Sequence, residues 1–84
     1  MTHRVDIRTQ DRTAVLEFQG LLDATALAGL RVCVSQIRAS GARPRILLRE
    51  GAEVERCCLP ALRALGAEIV AEPAYLAAWL RDAK

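Results

Sequence analysis

Eighty-four residues make one small domain, and a chain of this size buries about 60% of its unfolded surface on folding. Hydrophobic residues at 52% are ample for a core, and charged residues at 26% are ordinary for a soluble protein. A net charge of +2 is too small to argue for nucleic acid, and no apolar run approaches the roughly 20 residues of a membrane span. Aromatic residues are confined to Phe18, Tyr75 and Trp79, so the core must come from Leu, Val, Ile and Ala. Residues 1–49 hold eight Arg against four acids, giving +4, whereas residues 50–84 hold three Arg and one Lys against six acids, giving −2. Such polarity either orients a partner or reflects Arg and Glu solvating different surfaces. The start, Met1-Thr2-His3-Arg4-Val5-Asp6, moves straight into charged alternation without an apolar signal core. Three cysteines without framework spacing fit a reducing compartment, so a soluble cytoplasmic protein without membrane insertion is expected.

Arg4-Val5-Asp6-Ile7-Arg8 alternates polar and apolar residues, with Val5 and Ile7 on one face; this predicts a half-exposed strand whose charged outer face suits a sheet edge. Gln10-Asp11-Arg12 is a polar turn. Thr13 to Phe18 is a second strand with Ala14, Leu16 and Phe18 on one face, and the short connection predicts an antiparallel hairpin. The strand stops at Gly20, which tolerates the positive φ of a sharp corner, and Asp23 or Thr25 supplies the cap of the following helix. Leu27, Leu30, Val34 and Ile37 recur at spacings of three and four, predicting a helix from Ala24 to Ser40, with Gly41 at its end and Pro44 beyond.

Arg45-Ile46-Leu47-Leu48-Arg49 reads as a central strand covered on both faces. Gly51 to Arg56 is an acidic loop. Cys57-Cys58-Leu59-Pro60 opens a short helix that stops at Gly66, since Pro60 fits only in the first turn. Ala67 to Ala71 is the fourth strand. A last helix starts near Pro73 and buries Leu76, Trp79 or Leu80, and Ala83. The order strand, strand, helix, strand, helix, strand, helix predicts an α/β fold, residues 1–84 forming one domain. Its sheet is small, mixed and four-stranded, with about three helices packed on it.

The element order and the run Ala14-Val15-Leu16-Glu17-Phe18-Gln19-Gly20-Leu21-Leu22-Asp23-Ala24, followed by Leu27, Leu30 and Val34, resemble the STAS domain, the fold of bacterial anti-sigma factor antagonists. The similarity is good from about Val5 to Leu48 and weakens beyond. It implies a non-enzymatic interaction module without a cofactor. The partner it implies is an anti-sigma or histidine-kinase-like ATPase, or the ATPase of an ABC lipid transporter. Switched members of that family carry a phosphorylated Ser or Thr at the start of the second helix. Here that stretch is Glu55-Arg56-Cys57-Cys58-Leu59-Pro60, and no hydroxyl side chain occurs between Ser40 and Tyr75. A phosphoserine switch there is excluded by residue type. The resemblance places partner contacts at Asp23, Glu53, Glu55, Arg56, Cys57 and Cys58.

Cys57 and Cys58 admit two readings. A cysteine at a helix N-terminus has more thiolate, which opens a redox sensor; Glu53 and Glu55 oppose a thiolate, which favours plain packing. A vicinal disulfide would be strained. Cys33 lies beside the apolar stripe and is core. One histidine, His3, and the lack of a Cys-x-x-Cys pair argue against a metal site. No histidine is placed to act as base for Ser35, Ser40 or the cysteines, so catalysis is not expected. Glu50, Glu53 and Glu55 are either a solvated surface or part of a docking face. Tyr75 and Trp79 are expected in the core with a polar tip exposed; exposure of both, with Leu76, would mark a partner or homodimer surface.

Overall fold

The computed structural model describes residues 3–82. Strand β1 (His3–Gln10) and strand β2 (Thr13–Leu22) form the expected hairpin, antiparallel from His3 opposite Gly20 to Gln10 opposite Thr13. Asp11 closes the turn with φ +56°, a conformation that aspartate tolerates better than most residues. Helix α1 (Ala24–Ala39) leads to β3 (Arg43–Leu48), which pairs parallel to β2. A two-residue strand β4 (Glu53–Val54), a 3-10 turn (Arg56–Cys58) and helix α2 (Leu59–Arg63) follow. Strand β5 (Glu68–Ala71) pairs parallel to β3, and α3 (Ala74–Asp82) closes the described chain. The helix position expected for Ala83 lies outside the described residues.

The main sheet runs β1-β2-β3-β5, the mixed four-stranded order that the alternation of elements requires. The fifth strand is an addition: β4 lies in the stretch read as a loop and pairs with the end of β2, Leu21 opposite Glu53 and Leu22 opposite Val54. Two residues are too few for a period-2 pattern to register. Gly20 makes this pairing reachable. Beside β3 the ladder ends at Phe18 opposite Leu48; Gly20 then takes φ +95° and the strand continues against β4. The corner expected at Gly20 is thus a kink inside β2, and the turn into α1 falls three residues later, at Asp23.

Both crossovers step the same way across the sheet, and because parallel crossovers take the right-handed course, α1 and α2 fall on one face. Ala14, Leu16, Phe18, Ile46 and Leu48 are buried under that face with Leu27, Leu30, Val34, Leu62 and Leu76. α1 ends in a Schellman motif, with Gly41 at φ +88°, Gly41 N–H donating to the Arg38 carbonyl and Ala42 N–H to that of Ile37. Gly66, at φ +75°, receives the Arg38 guanidinium on its carbonyl oxygen, and a Cβ there would collide with that side chain.

The opposite sheet face carries no helix, so the expectation that β3 is covered on both faces does not hold. Leu47 is only half-buried and Val70 is 41% exposed. Charged side chains cover this face instead. Glu17 is 9% exposed, its Oε1 accepting from Arg49 Nη1 at 2.7 Å and its Oε2 meeting Arg8 Nε at 2.8 Å as a charge contact without hydrogen-bond alignment. Arg49 Nε reaches Glu72 at 2.9 Å, and Arg45 pairs with Glu68 at 3.1 Å.

Candidate functional site

Parallel strands β2, β3 and β5 end at the same edge of the sheet, so the segments that follow them must crowd together. Those segments are Asp23 with the start of α1, residues 49–58, and Glu72 with the start of α3. All six residues singled out in the sequence lie in the first two.

Asp23 is the α1 N-cap: its backbone is extended and its Oδ1 accepts from Ala26 N–H at 3.0 Å. The alternative cap, Thr25, lies inside the helix. The 49–58 segment is fixed at several points. Glu50 N–H donates to Glu72 Oε1 at 3.1 Å, Ala52 N–H to the Arg49 carbonyl at 3.0 Å, and Tyr75 Oη to the Ala52 carbonyl at 3.0 Å. β4 pairs with β2, and Glu55 N–H donates to the Leu22 carbonyl at 3.1 Å. That bond sets Glu55 beside the strand end that carries Asp23. Cys58 N–H donates to the Glu55 carbonyl at 2.9 Å and closes the 3-10 turn.

The side chains then divide. Ala52, Val54 and Cys58 are buried, while Glu53, Glu55, Arg56 and Cys57 are exposed. Arg56 lies over the Trp79 ring, 5.2 Å from its centroid. Tyr75 meets Trp79 edge to face at 5.4 Å. Leu76 is fully buried, Trp79 half-buried and Tyr75 47% exposed, so the aromatic pair straddles core and surface rather than belonging to either. Sequence reasoning did not join Tyr75 and Trp79 to this site. They lie 23 residues from Ala52 and Arg56, and only the shared strand edge brings them there.

The cysteines separate as one packed and one exposed residue. Cys58 is 4% exposed and Cys57 is exposed; Cys33 is half-buried against the core. Burial raises the Cys58 thiol above its ordinary pKa of 9.0, and a hydrogen bond with Cys57 and the charges of Cys57, Glu55 and Asp23 push the same way. A buried thiol surrounded by acids is the reverse of an activated nucleophile. The fold brings three side chains of metal-ligand type together: Glu55, Cys57 and Cys58 each offer one donor atom, all within 4.8 Å of one another. The Cys-x-x-Cys rule passes over an adjacent pair joined by a carboxylate two residues upstream.

Among the described residues no helix is long and apolar enough to cross a membrane. No family model matches the chain, and a search of the curated proteins finds no match.

Proposed function

We propose that the chain is a non-enzymatic, STAS-like interaction module that docks a larger protein through the end of the sheet where β2, β3 and β5 finish. The observation that carries this reading is the exposed row Glu53, Glu55, Arg56 and Cys57, held by backbone bonds beside Asp23 and flanked by Tyr75. A preformed surface of mixed charge with an aromatic rim binds without first ordering a loop. The element order and the hairpin-plus-crossover sheet support the resemblance on which the partner class rests. That class is a kinase-like or ABC-type ATPase, engaged in the cytoplasm. Without a hydroxyl at the start of α2, docking is constitutive with respect to phosphorylation at that position.

A thiol redox sensor is supported only by the contact between Cys57 and Cys58, and the raised Cys58 pKa opposes it. Affinity capture from the native host tests the docking reading, comparing the natural chain with a Glu53→Lys, Arg56→Glu double variant. Both substitutions are at exposed positions and leave the core intact. Capture of a kinase-like or ABC ATPase by the natural chain alone is expected. Capture of neither class, or equal capture by the variant, overturns the proposal.

A further inference from the structure

Two sulfurs and one carboxylate oxygen gathered within 4.8 Å are a donor set with a definite preference. Thiolates select zinc-type ions, whereas Mg²⁺ and Ca²⁺ take oxygen ligands. Around tetrahedral zinc, with Zn–S near 2.3 Å and Zn–O near 2.1 Å, donor atoms stand roughly 3.5–3.8 Å apart. From a separation of at most 4.8 Å the donors therefore need to close by no more than about 1.3 Å. The side chains that must move are exposed, Glu55 and Cys57, while Cys58 is anchored in the core. The backbone between them is already fixed by the bonds from Glu55 N–H to Leu22 and from Cys58 N–H to Glu55. Arg56, the residue between Glu55 and Cys57, lies over Trp79.

We propose that Glu55, Cys57 and Cys58 bind one thiophilic divalent cation of the zinc type. On binding, both S–H bonds break and the two protons pass to solvent. Two metal–sulfur bonds and one metal–oxygen bond form without change of oxidation state. Water completes the tetrahedron. The bound ion ties the segment after β4 to the start of α2, so it stabilises the folded chain by linkage.

The reduced full chain, titrated with Cd²⁺ alone, tests this without any partner, so its failure leaves the docking reading standing. An ultraviolet thiolate-to-metal charge-transfer band that saturates at one equivalent on a monomer is expected, together with a raised melting temperature. Cys57→Ser, exposed and harmless to the core, should weaken binding at least tenfold, and Glu55→Gln should weaken it less. Cys33→Ser should change nothing, its side chain lying on α1. Circular dichroism confirms that each variant is folded. Lack of a band at one equivalent, an unchanged titration of Cys57→Ser, loss of the band in Cys33→Ser, or a metal-bridged dimer each overturns the proposal.

Discussion

Asp23 has two consequences that substitution separates. Its Oδ1 caps α1 at Ala26 N–H, and its negative charge acts on the Cys58 thiol. Asp23→Ala removes both and should cost about 1 kcal/mol of stability, the ordinary worth of an N-cap. Asp23→Asn keeps an acceptor oxygen at the cap and removes only the charge, so it should unfold within a few tenths of a kcal/mol of the natural chain. Urea midpoints of the two variants check this; equal losses in both would mean that charge, not capping, matters at this position. Gly20 is the second sensitive residue. At φ +95° inside β2, alanine there should cost about 1–2 kcal/mol, and loss of amide protection at Glu55 should accompany it, because its N–H donates to Leu22 beyond the kink. The glycine and the cap were both legible in the sequence as residue types. Their division of labour was not, because the partner of Leu21 and Leu22 lies 32 residues away.

Among the elements, those with a long repeating pattern were readable and those defined by a neighbour were not. The stripe Leu27, Leu30, Val34 and Ile37 specified α1, and the alternation Ala14, Leu16, Phe18 specified the buried face of β2. The same alternation placed Glu17 outward, yet nothing local says that Arg49, 32 residues on, will bury it. Likewise Leu47 reads as doubly covered because its neighbours are apolar, although only one face of β3 meets helices. The β3–β5 junction gives a pH test. Arg49 holds the Glu72 carboxyl below its ordinary pKa of 4.5, and the Glu50 N–H adds to this. A carboxyl with a depressed folded pKa contributes stability above the unfolded value and loses it as pH falls through the folded value. Glu72→Gln should therefore be less stable than the natural chain at pH 7, with the gap closing below about pH 4. Denaturant midpoints across that range measure the gap; one that persists unchanged into acid would show that packing, not charge, joins these ends.

At the scale of the whole molecule, the basic first half and the acidic second half of the chain do not remain separate. Arg45 reaches Glu68 and Arg49 reaches Glu72, so part of the charge asymmetry is consumed within the fold rather than left for a partner. With Arg8 and Glu17, the Arg49–Glu72 pair makes a row of alternating charge that touches β1, β2 and the ends of β3 and β5 on the face without helices. This row stands where a second helical layer would otherwise supply the cover, and it holds the half-buried Leu47 and the exposed Val70 apart from other sheets. Its centre is Glu17, the least exposed of the four. Glu17→Gln preserves shape and one acceptor but strands Arg8, and should cost about 1 kcal/mol at low salt, the upper range for exposed pairs, because the residue is shared between two arginines. Screening tightens from roughly 30 Å at 0.01 M to about 3 Å at 1 M, so the difference between the two proteins should shrink with salt. It should not vanish, since the Arg49–Glu17 contact is shielded from water on the Glu17 side. Paired urea titrations at the two ionic strengths read the effect as a difference, which cancels the general influence of salt on apolar burial. An identical salt response in both proteins would remove the charge row as the device that closes the open face, and would leave Leu47 and Val70 as a surface awaiting a second copy.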